Sequence, residues 1–324
     1  MQLKIGTFNL NNLFSRYNFE LRAEMPGLKE GDIQLTQVKK LVNGIAEQPV
    51  TYEGTALKHK DVADREAVIQ RIHRMDLDVL AVQEVEDIDT LRYFASHELT
   101  TGLYPYLMLI EGNDPRLIDV AIMSKYPLGG ATTWQQAVHP DAPHERVFSR
   151  DLLQVDILNH DRSQKLLTVF NNHLKSHYVP FTEDQIAGQK AAARKRKQQT
   201  EMAEQIIATQ TDVNDHYIVL GDMNDGPYTP AMKPLTRSSR LQLVNGLVNP
   251  IETRPTPHSS SPPTTMAWTH RFKPSGQPAQ YELFDQIWLS PVLAQRQVGA
   301  FIDRRTRLGG DGSDHDPAWV VLEV

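Results

Sequence analysis

The sequence contains no cysteine among its 324 residues. Disulfide bonds and thiolate metal sites are therefore excluded, while the cellular compartment stays open. No stretch reaches the roughly 18 consecutive apolar residues that a membrane-spanning helix requires. The first residues also lack the basic start and the apolar core of about 7–15 residues that mark a signal peptide. We therefore expect a cytoplasmic protein without membrane insertion, unless a leader has been removed.

An excess of positive charge is also missing. Lys and Arg number 34 and Asp and Glu number 40, which gives a net charge of −6. The chain as a whole is therefore not a polycation that coats nucleic acid, and any phosphate-binding surface must be local. The composition is otherwise ordinary for a globular protein, and no break in it divides the chain. This favours a single domain over residues 1–324.

Two stretches carry too few apolar residues to belong to a core. Residues 15–62 are charged, with scattered Gly and Pro and a short helical pattern at about 35–45, and we interpret them as a surface insertion. Residues 253–265 are rich in Pro, Ser and Thr and are predicted to form a loop, because this composition cannot pack.

Elsewhere the pattern alternates between strands and helices. Periodicity predicts helices at about 64–75, 88–99 and 182–209. Apolar or alternating runs predict strands at residues 3–8, 78–82, 106–110, 119–125, 146–157, 165–170, 217–220, 284–290 and 318–321. This mixture is typical of a layered α/β or α+β domain.

Polar side chains adjoin several of these strands at their ends. Asp222 and Asn224 follow the buried run 217–220, two residues apart, so their side chains point to the same side. Taken alone, this segment is explained as well by a turn whose side chains cap their own backbone. The same combination recurs, however, in the set Asn9, Asn11, Glu84, His173, Asp222, Asn224, Asp285, Asp314 and His315. Unpaired acids and imidazoles gathered at one rim do not stabilise a fold, so the recurrence favours a functional site.

The chemistry of this set suits a hard metal ion and a phosphate. Oxygen ligands exceed nitrogen ligands, which favours Mg²⁺ with Mn²⁺ as a possible substitute. Two histidines are too few for a dedicated zinc triad among so many acids, although the residue types do not exclude zinc. A metal that neutralises phosphate, an acid that orients water and an imidazolium that donates to phosphate oxygens together suit phosphoryl transfer.

Six short motifs carry a family resemblance. They are Thr7-Phe8-Asn9-Leu10-Asn11, Gln83-Glu84, Asn172-His173-Leu174-Lys175-Ser176, Gly221-Asp222-Met223-Asn224, Phe284-Asp285-Gln286-Ile287 and Ser313-Asp314-His315-Asp316-Pro317. In this order they resemble the endonuclease/exonuclease/phosphatase superfamily, which includes deoxyribonuclease I and the apurinic endonucleases. The resemblance implies a four-layer α/β/β/α sandwich, with two facing mixed sheets, helices outside and the site at one edge.

The resemblance also implies a role for each site residue. Glu84 would be the principal metal ligand, helped by Asn9 and by Asn11 or Asp314. Asp222 would position or deprotonate the attacking water, Asn224 would hold the phosphate, Asp285 would orient His315, and His173 would be the second imidazole facing the phosphate. Some members carry Asp where this chain has Asn11, which weakens the case for a second metal site.

Substrate contacts are predicted at Lys175, Arg150, Arg116 and Trp268. Three of these have a structural alternative: a solvated loop for Lys175, an ion pair with Asp119 for Arg116 and a core position for Trp268. The helix from residue 185 adds a basic strip, Lys190 with 194–197, whose alternative is an ordinary solvated face.

The leading hypothesis is a Mg²⁺-dependent phosphodiesterase that hydrolyses DNA or another nucleic acid. The runner-up is a phosphatase or phosphodiesterase for a small phosphorylated metabolite or a lipid headgroup. A third possibility is a binding relative without catalysis, against which the intact acid and histidine set argues. Gln286 counts against the inositol phosphatases, which carry Arg after the equivalent Asp.

Overall fold

A computed structural model describes residues 1–13, 34–37, 50–53, 60–254, 267–273 and 275–324, with 34–37 and 50–53 described by their backbone. Contacts divide the chain into two compact units, one of residues 1–13 with 61–324 and one of residues 14–60. The residue range of the second unit nearly coincides with that of the predicted insertion, residues 15–62. The division of the chain into one domain with an insertion stays a prediction.

The strands are β1 (Gln2–Leu13), β2 (Gln34–Gln37), β3 (Val50–Glu53), β4 (Val79–Val85), β5 (Tyr106–Leu109), β6 (Asp119–Ser124), β7 (Leu128–Thr133), β8 (Val138–His139), β9 (Ala142–Arg146), β10 (Leu152–Leu158), β11 (Lys165–His173), β12 (Tyr217–Asp222), β13 (Val244–Asn245), β14 (Ile251–Glu252), β15 (His270–Phe272), β16 (Gln280–Glu282), β17 (Asp285–Leu289), β18 (Gln297–Ile302) and β19 (Ala318–Glu323). The helices are α1 (Val62–Met75), α2 (Ile88–Tyr93), which continues as a π-helical turn at Phe94–Glu98, α3 (Gln185–Gln210), α4 (Lys233–Thr236) and α5 (Pro291–Ala294).

Two mixed sheets dominate the larger unit. One has seven strands in the order β14-β18-β19-β1-β4-β6-β5, and the other has six in the order β13-β17-β12-β11-β10-β7. Shorter antiparallel pairs join β8 to β9 and β15 to β16, and in the smaller unit β2 pairs with β3.

Alternating side chains on the strands produce the layers. On β12, Ile218 and Leu220 point into a buried cluster that also contains Ile5 and Ala81 of the other sheet. The intervening residues of β12 point the other way, into a cluster shared with α3. The outer face of the seven-stranded sheet packs in the same way against α1 and α2. Each fully buried aliphatic side chain contributes about 1.5–3 kcal/mol. The order helix, sheet, sheet, helix confirms the predicted α/β/β/α sandwich.

Local capping explains where the main helices begin. The Asp61 carboxylate accepts a hydrogen bond from the Ala63 amide at 2.8 Å and so caps α1. Asp184 caps α3 through the amides of Ile186 and Ala187. Asp184 replaces residue 182 as the boundary because the exposed carboxylate satisfies amides that have no partner inside the helix.

Several sequence predictions were wrong in detail. The strand predicted at 146–157 begins only at Leu152, because Asp151 adopts a positive φ of 87° and accepts hydrogen bonds from the amides of Trp134 and Leu152. Strands β7 and β18 were missed, since β7 has no buried residue and β18 has only Ala300 and Ile302 buried. The helical pattern near 35–45 is contradicted by β2 at Gln34–Gln37, and its remainder lies outside the described residues.

The predicted loop at 253–265 is described only for its first two residues. Arg254 pairs there with Asp303 at 3.0 Å, and residues 255–266 lie outside the described part of the chain. Among the described helices, none is both long enough and apolar enough to cross a membrane.

Candidate active site

Three neighbouring strands of the six-stranded sheet bring acids and an imidazole to one edge. Parallel strands β11 and β12 end at His173 and Asp222, which are partners in the register of the sheet. Strand β17 runs the opposite way and begins at Asp285, the register partner of Asp222 on its other side. The carboxyl ends of two strands and the amino end of a third therefore meet, which is why residues that lie 112 positions apart (285 − 173) become neighbours.

The seven-stranded sheet faces this edge with Asn9 and Glu84. The Asn9 amide donates to the Asp222 carboxylate at 2.9 Å across the two sheets. Below this contact, the Gln83 amide donates to Asn171 at 2.8 Å, a second link between the sheets that the sequence analysis did not identify. Such buried links hold the two halves of the site in register.

Glu84 owes its direction to a break in β4. Its φ is +61°, and the register with β6 shifts between Gln83 and Val85, as in a β-bulge. The carboxylate accepts a hydrogen bond from the Asn12 amide at 3.0 Å and lies 4.0 Å from the His173 Nε2 atom. Burial, and then the negative charge of Asp314, raise the pKa of Glu84. A cation beside this carboxylate would offset both effects, so its surroundings fit a divalent metal.

Asp222 has the most contacts in the site. Besides Asn9, its carboxylate accepts a hydrogen bond from the Asn224 amide at 2.8 Å, and it lies 3.4 Å from His173 Nε2 and 3.8 Å from His315 Nε2. Burial raises the pKa of Asp222, His315 opposes this rise and Asp285 adds to it. Asn224, at a positive φ of 51°, donates its side-chain amide to the Leu174 carbonyl at 3.2 Å.

The two predicted histidines differ in their partners. His315 Nδ1 lies 2.7 Å from the Asp285 carboxylate, and although burial favours the neutral ring, the charges of Asp285 and Asp222 raise the pKa of His315 well above 6.5. Burial, and then the positive charge of Arg150, lower the pKa of His173 well below 6.5. The buried His173 Nδ1 atom has no hydrogen-bond partner among the described residues.

The remaining metal-ligand candidates lie around this centre. The side-chain oxygen of Asn9 accepts from the Asn11 amide at 2.9 Å, and the Asn11 side chain accepts from Asn12 at 3.1 Å. The Asp314 side chain is 52% exposed and lies 3.9 Å from His270 Nε2. Hydrogen bonds within the chain therefore engage Asn9 and Asn11, whereas Asp314 faces solvent.

Three of the four predicted substrate contacts are cations that bind partners within the chain. Arg150, buried, and Arg116, half exposed, both bind the Asp114 carboxylate, at 2.8 and 3.1 Å, so Arg116 does not pair with Asp119. Arg150 also donates to the Leu174 carbonyl, which ties it to the strand end that carries His173. Lys175 donates to two carbonyls of its own loop, and burial, with the charge of Arg150, lowers the pKa of Lys175.

Trp268 lies in the interior. It is 2% exposed, and the Arg304 guanidinium lies 3.9 Å from its ring centroid. A ring with so little exposed surface has none to offer a substrate, so this prediction is corrected. Trp268 occupies a core position, which was the structural alternative to a substrate contact.

Only part of the basic strip of α3 is exposed to solvent. Arg196 is buried and binds Asp225 at 2.9 Å and the Lys175 carbonyl at 3.0 Å. Lys197 pairs with Glu201 at 3.2 Å. A cavity of about 660 Å³ beside α3 is bordered by Lys175 and by residues of both charges. Arg196 is therefore not available to a polyanion, whereas Lys190, Arg194 and Lys197 are exposed.

One aromatic residue at the site, His270, was missed by the sequence analysis. The His270 ring stacks on Phe284 at 4.8 Å and lies 5.0 Å from the His315 ring. The His177 ring also stacks on Phe284, at 5.7 Å. His270 gives no sequence signal of its own, because only the backbone bridge between residues 270 and 315 brings it here.

Comparison with known proteins agrees with this geometry. The pattern of the Endonuclease/Exonuclease/phosphatase family matches residues 6–315. Among solved structures, an AP endonuclease from Archaeoglobus fulgidus is 16% identical, with a TM-score of 0.55, and covers 99% of this chain and 100% of its own. D. rerio TDP2 complexed with single strand DNA product is 13% identical, with a TM-score of 0.56, over 100% and 99%.

A humanized D. rerio TDP2 is similar, at 14% identity and a TM-score of 0.57, over 100% of this chain and 99% of its own. At these identities the structural likeness establishes the shared fold. No curated protein sequence matches this one.

Proposed function

This chain belongs to the Endonuclease/Exonuclease/phosphatase family and is a hydrolase of phosphate ester bonds, and from that premise we propose that it is a Mg²⁺-dependent phosphodiesterase that cleaves DNA. The observation that carries this proposal is the Asp222 carboxylate, which lies within 3.8 Å of two imidazole Nε2 atoms whose rings have pKa values shifted in opposite directions by their neighbours. Asp222 can therefore act as a base beside His315, which acts as a charged hydrogen-bond donor. Hydrolysis of a phosphodiester uses both groups.

Asp222 is the group that we assign to the attacking water. Asn9 and the Asn224 amide hold its carboxylate by two hydrogen bonds, so the oxygen atoms keep one orientation. Burial raises the pKa of Asp222 toward that of an effective general base. In the reaction it orients the water and accepts its proton while the water oxygen forms the new bond to phosphorus and the bond to the leaving oxygen breaks.

His315 is the charged donor. Its Nδ1–H donates to Asp285, which leaves the Nε2–H free to donate to a phosphate oxygen and to stabilise the negative charge of the transition state. His173, neutral at pH 7, donates or accepts a hydrogen bond without adding charge. The Asn224 side chain contributes a further polar contact to the phosphate.

Glu84 is the residue that we assign to the metal, with Asn9, Asn11 and Asp314 as further oxygen ligands. A bound Mg²⁺, or Mn²⁺ in its place, neutralises phosphate charge and activates water. The raised pKa of Glu84 supports the assignment, because a nearby cation stabilises the ionised form.

The choice of DNA rests on local cations and on likeness to a relative. Arg116 is half exposed, and Lys175, two residues after His173, borders an open cavity beside α3. The similar D. rerio TDP2 was solved with a single-stranded DNA product. A smaller phosphate ester, such as a metabolite or a lipid headgroup, is the second candidate, favoured by the acids that already bind Arg150 and Arg196.

Incubation of the full chain with plasmid DNA tests the proposal. We expect nicking that requires Mg²⁺, stops with EDTA and is lost in Asp222→Asn. Hydrolysis of a soluble phosphodiester while plasmid DNA survives would reject the nuclease and retain the hydrolase.

A further inference from the structure

A second group of metal-binding side chains lies beside the proposed reaction centre. His270, Asp314 and His315 each offer one ligand atom, and these atoms lie within 4.8 Å of one another. His270 has no part in the proposed hydrolysis, so the reaction does not explain its position. Its Nε2 atom lies 3.9 Å from the Asp314 carboxylate.

The donor atoms differ from those proposed for Mg²⁺. Around Glu84 the available ligands are oxygens, which suit a hard cation. Here two imidazole nitrogens accompany one carboxylate, a set that suits a borderline-soft ion such as Zn²⁺, with water in a fourth position. The two sets therefore select different metals although they share one edge of the sandwich.

Contacts outside the group resemble those that hold metal-binding histidines. His315 Nδ1 lies 2.7 Å from the Asp285 carboxylate, which leaves Nε2 as the nitrogen that can bind a metal. A carboxylate in this position orients the ring and raises its basicity as a ligand. The stack on Phe284, at 4.8 Å with an interplanar angle of 12°, orients the ring of His270.

The backbone holds the two segments side by side. Residues 270 and 315 form a β-bridge, and the Arg305 guanidinium donates to the carbonyls of Thr269 and Asp314, at 2.9 and 2.7 Å. Metal–ligand bonds of about 2.0–2.2 Å place tetrahedral ligand atoms about 3.4 Å apart. The exposed side chain of Asp314 is free to rotate and close most of the remaining gap, since it is 52% exposed.

We propose that His270, Asp314 and His315 form a second site, for Zn²⁺, which shares only Asp314 with the ligands assigned to Mg²⁺, and that Zn²⁺ bound there inhibits the hydrolase. Zn²⁺ displaces the Nε2 proton of His315 into solvent and takes its place, so this nitrogen no longer presents a proton to the phosphate. The binding step stands on its own, whereas the inhibition rests on the proposed role of His315.

Titration calorimetry with Zn²⁺ alone, in buffer saturated with Mg²⁺ and without substrate, tests the binding. We expect the full chain to bind Zn²⁺ and His270→Ala to bind it at least about 10-fold more weakly. His177→Ala is the matched control, because His177 also stacks on Phe284 but lies outside the cluster. Its affinity should equal that of the unaltered protein.

Cobalt provides a second measurement on the same variants. Co²⁺ in a four-coordinate site with nitrogen ligands absorbs visible light strongly, and His270→Ala should lose this absorption while His177→Ala keeps it. Equal Zn²⁺ affinity in the unaltered chain and His270→Ala, or an equal loss in both variants, would overturn the site.

The activity measurement separates the two proposals. With Mg²⁺ and plasmid DNA, Zn²⁺ should inhibit the unaltered chain and require at least about 10-fold higher concentration in His270→Ala. Inhibition at the same Zn²⁺ concentration in both proteins would overturn the inhibitory role. If no DNA is cleaved under any condition, the nuclease proposal fails, and the calorimetry still decides the zinc site.

Discussion

His173 and His315 approach the same carboxylate oxygen, yet their surroundings shift their pKa values in opposite directions. Their Nε2 atoms lie 3.4 and 3.8 Å from Asp222, and both rings are buried. Only His315 has a carboxylate on its other nitrogen, Asp285 at 2.7 Å. His173 instead faces the positive charge of Arg150, and no hydrogen bond within the described residues reaches its Nδ1.

The difference shows that burial alone does not decide the charge of an imidazole. Burial lowers the pKa of both rings, and the net shift depends on which neighbour supplies charge. One carboxylate therefore separates a neutral ring from a charged one within a single site. Five variants break or sharpen this contrast, and a sixth tests charge outside it.

The largest effect is expected from Asp222→Asn, which removes the charge that both rings approach. The shape of the side chain is nearly unchanged, so the fold should persist while kcat falls by about 10³–10⁴-fold. Steady-state hydrolysis with a thermal melt measures both. Asp215→Asn, on an exposed turn, is the control. Near-normal turnover would remove Asp222 from the reaction.

Asp285→Asn makes the surroundings of His315 more like those of His173. Loss of the carboxylate lowers the pKa of His315, so the imidazolium is lost at a lower pH than in the unaltered chain. We expect kcat/KM to fall about 10²-fold and its alkaline limb to move to lower pH. A pH profile of kcat/KM provides the measurement, and an alkaline limb that does not move would contradict the role of Asp285.

Glu84→Gln tests the metal side of the site. Because Gln removes the carboxylate that we assign to the metal, the Mg²⁺ concentration for half-maximal activity should rise about 10–100-fold. Glu111→Gln, at an exposed position, should leave this concentration unchanged. An unaltered Mg²⁺ requirement in Glu84→Gln would assign the metal to other ligands.

The two rings should also oppose one another in the pH dependence of stability. His173 has a folded pKa below 6.5, so its contribution is present above about pH 6.5 and is lost as pH falls. The contribution of His315 is present below about pH 6.5 and is lost as pH rises through its raised folded pKa.

His173→Gln should therefore flatten the acid side of the stability profile by up to about 1.4 kcal/mol per pH unit, and His315→Gln should flatten the alkaline side. Urea unfolding across pH measures both. The same change in both variants would show that the rings do not differ in charge.

The smallest effect is expected from a charge change on α3, away from His173 and His315. Lys197→Glu, exposed on α3, should weaken DNA binding and reduce the slope of log K against log salt by about 1–2 if it contacts phosphate. Binding measured across salt concentrations provides the test, with Lys165→Glu, an exposed lysine on β11, as the control. An unchanged slope would identify the strip as a solvated face.

The layers and the central strands could be predicted because they follow from local patterns. The alternation of side chains in Tyr217–Leu220 determines which residues face the other sheet and which face α3. Positions where the backbone bends could not be predicted. Asp151 and Glu84 adopt positive φ angles that depend on hydrogen bonds from distant segments.

The sequence by itself determined which chemical groups this protein carries at its strand ends, since strand periodicity and residue type are local properties. Only the tertiary structure decided what those groups do to one another. Asn9 and Asp222 are 213 residues apart and share a hydrogen bond. Asp285 and His315 are 30 residues apart, and the Asp285 carboxylate raises the pKa of His315. The tertiary structure also buried Arg196 and brought His270 to the site. Charge, pKa and metal preference depend on distance and burial, and these exist only once the chain has folded.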